Sequence, residues 1–183
     1  MAEDVVKAIS LWQPWASLML LSTEFRKKFE TRKWDTSHRG VLLIHSAMRM
    51  PPESLALARQ EPFKTALEDD PLWSIRRGHV LGAVNLTDCF QIRPYGETPA
   101  KLFAGRPFEN SFGDFSPGRF AWECKDAIRF KEPFFWKGRQ RFFDVPARSV
   151  LLATEQWDQC PEWWGDTSGC PGCLCETCRS YGD

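Results

Sequence analysis

Three features are missing from this sequence: a long apolar run, the pattern of a secretory signal in its opening residues and a net charge. No apolar stretch approaches the ~18 residues of a membrane-spanning helix, so we expect no membrane span. The opening residues, Met1-Ala2-Glu3-Asp4, lack the basic start and apolar centre of a secretory signal. The expected location is therefore intracellular with reduced thiols, in the cytoplasm or, for a eukaryotic source, the nucleus. A formal net charge of +0 argues against a nucleic-acid binder that depends on overall charge.

Common catalytic motifs are also absent. The sequence shows no Ser-His-Asp order, no glycine-rich phosphate loop and no pair of histidines spaced by three residues. The sequence therefore carries no motif typical of a Ser-His-Asp hydrolase, a nucleotide-binding phosphate loop or a helical zinc site.

The residues that are present suffice for one folded domain with an appendage. Hydrophobic residues make up 43% of the chain and aromatic residues 14%, so global disorder is not expected. The charge is unevenly distributed, because residues 151–183 hold six acids and one base, which leaves residues 1–150 with a net charge of +5. A moderately basic body with an acidic tail can hold a phosphate backbone locally. A solvated mixed-charge surface is the alternative, and charge does not choose between them.

The stretch from Trp12 to Ala47 carries three local patterns in succession. Pro14 suits the start of a helix, whose apolar stripe is formed by Trp15, Leu18 and Met19. A polar strand follows, and the two-residue alternation places one set of side chains on a shared face: Lys28, Glu30, Arg32 and Trp34. An apolar run, typical of a buried strand, leads up to His45.

The remaining elements follow from periodicity, glycine and proline. Residues 51–70 show a helical pattern that Pro62 splits into two short helices, and residues 94–117 form a long loop held by aromatic side chains. The predicted strands outside Trp12–Ala47 are Val5–Leu11, Gly78–Cys89, Gly118–Cys124, Ala127–Phe130 (interrupted by Pro133) and Arg141–Pro146.

These ordered pieces resemble the ASCH domain, the activating signal cointegrator homology domain of the PUA-like group of small β-barrels. The pieces are Gln13-Pro14-Trp15-Ala16-Ser17-Leu18, Lys27-x-x-Glu30-x-Arg32-x-Trp34, Arg39-Gly40 and Ile44-His45-x-Ala47. Three of the four positions in the signature G-x-K-x-x-E-x-R match, and Phe25 replaces the glycine. Three further pieces resemble the family, particularly its bacterial and phage-type members: Gly118-Arg119-Phe120-Ala121-Trp122, Lys137-Gly138-Arg139-Gln140 and Val145-Pro146.

The resemblance implies a mostly antiparallel, α+β PUA-like barrel over residues 5–147. We expect about five to seven strands flanked by two or three helices, followed by a Cys/Trp-rich extension at 148–183. The resemblance also implies a basic and aromatic cleft that binds nucleic acid, with RNA favoured, DNA possible, and a modified or single-stranded base as the target. Its candidate residues are Trp12, Lys27, Lys28, Glu30, Arg32, Trp34, Arg39, His45, Arg119 and Trp122.

An enzyme is the alternative that the resemblance leaves open. Some relatives are amidohydrolases that act on N4-acetylcytidine with a catalytic lysine and threonine. Lys27 falls at the position of that lysine and Glu30 at that of the threonine, so the resemblance implies Lys27 and Glu30 as the catalytic residues if this chain is an enzyme. Ribonuclease activity would depend on Lys27 or Lys28, His45 and Arg119. The structural alternative is that Glu30 and Arg32 are an ion pair that only holds the barrel together.

Four cysteines near the end form two C-x-x-C units separated by Leu174 alone: Cys170, Cys173, Cys175 and Cys178. Thiolates at this spacing can converge on one structural zinc ion, although such units are usually about a dozen residues apart. Cys160 could replace one ligand, and a metal-free, redox-sensitive tail is the alternative. The acidic, tryptophan-rich tail could also bind a protein partner.

Overall fold

The computed structural model describes residues 4–68, 77–94, 102, 105 and 107–154. Six strands form one mixed sheet in the order β2-β5-β4-β3-β1-β6. Only β1 and β3 pair in parallel among the described strands; the other neighbours are antiparallel. The strand bounds are β1 Val5–Leu11, β2 Phe29–Arg32, β3 Gly40–Ser46, β4 His79–Gln91, β5 Phe120–Phe135 and β6 Phe142–Pro146.

Four short helices pack around the sheet, where two or three were expected, in the part of the chain that the structure describes. Their bounds are α1 Trp15–Leu18, α2 Pro52–Ala58, α3 Phe63–Leu67 and α4 Ala147–Thr154, and a 3-10 turn covers Glu109–Phe112. Pro62 separates α2 from α3, as predicted. Buried residues of α1 and α3 pack with Phe112 of the 3-10 turn, which places this layer beside the start of β2.

The prediction of two separate strands, Gly118–Cys124 and Ala127–Phe130, was wrong, because the single strand β5 runs from Phe120 past Pro133 to Phe135. The pairing with β4 slips between Val80, opposite Phe134, and Gly82, opposite Arg129. Pro133 lies inside this bulge, where a missing N–H is tolerated. Gly82 allows the close approach, since a Cβ there would lie 2.1 Å from the Ile128 carbonyl oxygen.

The sheet is curled but not closed, so the barrel is a loose one. β2 and β6 are the two edges and share no backbone pairing in the described topology. Side chains join these edges instead: the Trp34 ring, just after β2, lies 5.2 Å from the Phe142 ring of β6. The Arg32 guanidinium donates to the Ser10 carbonyl of β1 at 3.2 Å. A seam of side chains therefore replaces the last row of backbone hydrogen bonds.

Helix α4 crosses the predicted boundary between residues 147 and 148. Its Ala147 and Val150 are buried in a cluster with residues of β5 and β6, the strands that α4 packs against, and the Ala147 N–H donates to the Asp4 carbonyl at 2.8 Å. This helix is therefore packed as part of the domain. No helix among the described residues is long and apolar enough to cross a membrane.

Candidate functional site

A cleft of about 1310 Å³ opens along the seam between β2 and β1. The strand β2 and its lead-in form one wall, the ends of β1 and β3 form the floor, and residues 111–114 and 135–141 form the sides. Its charged lining comprises six cations and two carboxylates: Lys27, Arg32, Arg119, Lys137, Arg139 and Arg141, with Glu30 and Asp114. The lining therefore carries an excess of positive charge in a chain whose formal net charge is +0.

Glu30 lies at the centre of a buried ion network. Its Oε2 is 3.3 Å from Lys27 Nζ and its Oε1 is 3.0 Å from Arg32 Nε. Lys27 precedes the first residue of β2, and its ammonium also donates to the Phe29 carbonyl, so it turns back towards Glu30. The Lys27 side chain is 1% exposed and that of Glu30 is 12% exposed. The network therefore holds the wall of the cleft and presents only a small part of Glu30 to it.

Glu109, which the sequence analysis did not select, fixes the start of that wall. Its carboxylate accepts from the N–H of Lys28 at 2.9 Å and from the N–H of Phe29 at 2.9 Å. The Glu109 side chain is buried, and it lies on the 3-10 turn at the edge of the cleft. The carboxylate thus supplies the partners that two backbone donors at a sheet edge would otherwise lack.

Arg119 reaches the cleft from the residue before β5. Its Nη2 donates to the Thr31 carbonyl at 3.0 Å, and its Nη1 lies 3.3 Å from Asp114 Oδ2. Hydrogen bonds from the hydroxyl and the N–H of Ser116 lower the pKa of Asp114, so this carboxylate stays ionised beside Arg119. Arg119 is therefore held between β2 and the loop wall, with 19% of its side chain exposed.

His45 and Ser10 form a hydrogen-bonded pair on the floor, where their strands β3 and β1 are in register. The Ser10 Oγ is 2.9 Å from His45 Nδ1, and His45 Nε2 is 3.0 Å from the Trp136 carbonyl oxygen. A carbonyl can only accept, so Nε2 carries the proton and Nδ1 accepts from the Ser10 hydroxyl. A Cβ at Gly138 would lie 2.4 Å from His45 Cε1 and 2.5 Å from Ser10 Oγ. The backbone of the loop after β5 therefore rests directly on this pair.

Burial lowers the pKa of His45 below its ordinary value of 6.5. Because the unfolded chain binds this proton more readily, the stabilisation is complete above about pH 6.5 and is lost as the pH falls towards the folded pKa. We expect the unfolding free energy to fall by up to about 1.4 kcal/mol per pH unit in that window. Urea unfolding between pH 5 and 8 measures this slope, and His45→Gln should flatten it. An equal slope in the variant would contradict this origin.

The loop after β5 supplies exposed cations that the sequence analysis did not select. Lys137, Arg139 and Arg141 are exposed and line the cleft. Within the described residues, neither Lys137 nor Arg139 has an acidic partner, and Arg141 lies over the Trp34 ring at 5.7 Å. The basic cluster between Lys125 and Arg148 was the available signal, but only the fold shows which of its members face the cleft.

The three tryptophans proposed as stacking platforms have different environments. Trp12 lines the cleft and is 51% exposed. Trp34 also lines it but is half-buried, with its ring 4.5 Å from the Trp122 ring. Trp122 has 0% exposure and belongs to the core, so a stacking role for Trp122 is not compatible with this structure. Its strand position, opposite Glu30 and Cys89, turns the indole inward.

Two predicted cationic contacts lie away from the cleft. Lys28 is not part of its lining, and its backbone is held by Glu109. Arg39 donates to the Thr36 and His38 carbonyls and lies 3.7 Å from Asp88, outside the cleft. The structure therefore brings together Trp12, Lys27, Glu30, Arg32, Trp34, His45 and Arg119.

The predicted zinc ligands Cys170, Cys173, Cys175 and Cys178, with Cys160 and the tail tryptophans, lie outside the described residues. Cys124, inside them, is buried, and burial raises the pKa of its thiol to about 12. Cys89 is partly exposed, and burial raises its pKa as well, so neither thiol has the character of a reactive cysteine.

A family model described as the ASCH domain matches residues 9–134, which include the Lys27–Glu30–Arg32 network and most of β5. The chain belongs to the ASCH domain family. This match confirms the resemblance drawn from the motifs, and with it an α+β, mostly β architecture.

Known proteins similar to this ASCH chain include a mouse protein and bacterial structures. Activating signal cointegrator 1 of Mus musculus is 26% identical over 145 residues, which are 76% of this chain and 22% of that protein. The chain thus spans about a fifth of that relative's length. The ASCH protein of Zymomonas mobilis is 14% identical with a TM-score of 0.45, over 81% of this chain and 93% of that one. A point mutant of the same protein is 14% identical with a TM-score of 0.44, over 81% of this chain and 96% of that one.

Proposed function

We propose that this ASCH domain binds nucleic acid in the cleft along the β2–β1 seam. The observation that carries the proposal is the excess of cations over carboxylates in the lining, with Lys137 and Arg139 exposed and lacking an acidic partner in the described structure. Such cations can neutralise phosphates and release counterions, which supplies affinity without base specificity. Membership of the ASCH family favours RNA over DNA.

In this proposal the two groups of cations have different roles. The loop cations Lys137, Arg139 and Arg141 meet phosphates, because they are exposed and line the cleft. Arg119 is engaged by Asp114 and by the Thr31 carbonyl, so it contributes only the 19% of its side chain that is exposed. Lys27 and Arg32 are already engaged by Glu30, so they shape the wall, and the exposed part of Arg32 adds a donor. Glu30 holds this arrangement together by pairing with both cations, and the group of one carboxylate and two cations keeps a net positive charge.

The contacts of Lys27 give less support to the hydrolase alternative. A nucleophilic amine must be reachable and free of its proton. The Lys27 side chain is 1% exposed, pairs with Glu30 and donates to the Phe29 carbonyl. These contacts support a role in holding the wall rather than in attacking a substrate.

Filter binding of labelled single-stranded RNA and DNA at several salt concentrations tests the proposal. We expect micromolar or tighter binding at low salt, weakening as salt rises with a slope of about −0.7 per phosphate contacted. RNA is expected to bind more tightly than DNA of the same sequence. Affinity that does not change with salt, or no binding at low salt, would contradict the proposed function.

A further inference from the structure

Four strands of the sheet begin or end at the same end of the sheet, beside the cleft. β1 ends at Leu11, β3 ends at Ser46, β4 starts at His79 and β5 ends at Phe135. Backbone hydrogen bonds continue past these ends: the Ala47 N–H donates to the Leu11 carbonyl at 2.7 Å and the Gly78 N–H to the Ser46 carbonyl at 2.7 Å. The Trp136 N–H donates to the Gly78 carbonyl at 3.0 Å. The residues just beyond the strands are therefore fixed relative to one another.

This end of the sheet carries three exposed apolar side chains, which we call the strand-end rim: Trp12, Met48 and Phe135. Their exposed fractions are 51%, 61% and 61%, and all three line the cleft. Met48 and Phe135 meet over Gly78, where an added Cβ would lie 2.5 Å from Met48 Cε and 3.3 Å from Phe135 Cε2. Single exposed apolar residues are ordinary, but a group on a rigid edge of a cleft marks a binding surface.

The charges around the rim restrict what it can bind. Lys137 and Arg139 follow Phe135 by two and four residues along the same loop, and both are exposed. A ligand that contacts both the strand-end rim and these loop cations must present a flat or apolar group next to a negative charge. An unstacked nucleotide has this combination, since its base has a π-face and its phosphates lie on either side. In a regular duplex the bases are stacked and paired, so the rim would have nothing to bind.

We infer that the strand-end rim holds one unpaired base, while the adjacent loop cations hold its flanking phosphates. This inference rests on the proposed function and narrows its ligand to single strands or to duplexes with a bulged nucleotide. Trp12 is the stacking surface, because its ring is the largest exposed aromatic face of the rim. Met48 and Phe135 enclose the other side of the base.

A duplex with one bulged nucleotide tests the inference, because only one base in it is free to enter the rim. Fluorescence anisotropy would compare three RNA ligands: the perfect duplex, the bulged duplex, and the same bulge with an abasic nucleotide, which has the same number of phosphates as the bulged duplex. We expect the bulged duplex to bind about 10-fold or more tightly than the perfect duplex, and the abasic bulge to lose most of that preference. In Trp12→Ala the preference for the bulged duplex over the perfect duplex should disappear.

Leu152→Ala is the matched control, since Leu152 is a 69% exposed apolar residue that does not line the cleft. It should keep the full preference for the bulge. Phe135→Ser provides a second rim variant if Trp12→Ala folds poorly. Equal binding of all three ligands to the wild-type protein, or a preference that survives both rim variants, would overturn the inference and leave the proposed function standing. Failure of every ligand to bind at low salt would instead remove the proposed function itself.

Discussion

Glu30→Ala is expected to lower the free energy of unfolding by about 3–5 kcal/mol, because it leaves a buried ammonium without its counter-charge. Lys27 has 1% of its side chain exposed, so it cannot turn to solvent without opening the wall. The Phe29 carbonyl would remain as a partner, but a neutral carbonyl does not replace a carboxylate at 3.3 Å. Urea unfolding at pH 7 measures the change directly.

Within this ion network, we expect the loss of Lys27 to destabilise the protein less than the loss of Glu30. Lys27→Met removes the buried charge and leaves Glu30 paired with Arg32 at 3.0 Å, so it should be less destabilising than Glu30→Ala. Combining Lys27→Met with Glu30→Ala should recover part of the loss, since no unpaired ammonium remains. A fully additive double variant would contradict the view that the two side chains act as a pair.

Local patterns predicted the elements that depend on local rules. The strand β1, the division of α2 from α3 at Pro62 and the strand β4 follow from apolar periodicity and from proline chemistry. The continuity of β5 was missed because Pro133 is tolerated only through the slip opposite Val80 and Gly82, which belongs to another strand. Closure was overestimated because the seam is made by side chains such as Trp34 and Phe142, which are distant in sequence.

For the site as well, the sequence predicted contacts between residues close in the chain and missed contacts between distant ones. Alternation placed Glu30 and Arg32 on one face, and the structure confirms their contact at 3.0 Å. Alternation could not bring in Glu109, which holds Lys28 from 81 residues away. It also could not separate exposed Trp12 from buried Trp122, because an aromatic side chain suits both a core and a stacking surface.

Replacing the three loop cations together should give the largest loss of binding. Lys137→Ala/Arg139→Ala/Arg141→Ala removes the exposed cations nearest the strand-end rim. If each contacts one phosphate of a single strand, the salt slope should become shallower by about 2. That change corresponds to a loss on the order of 100-fold at about 0.1 M salt and to little loss near 1 M. Filter binding across this range measures slope and affinity together.

A charge-matched control separates local contacts from overall charge. Arg59→Ala/Lys64→Ala/Lys125→Ala removes three cations that do not line the cleft, so it lowers the net charge by the same amount. It should weaken binding less than the loop variant does and leave the slope nearly unchanged, because none of the three lines the cleft and salt screens charges that do not contact the ligand. Equal losses of affinity in the two triple variants would mean that the nucleic acid is attracted by the overall positive charge of residues 1–150 and not by contacts with the loop cations. A loss confined to the loop variant would place the ligand at the seam, where Trp12 and Arg119 can reach it.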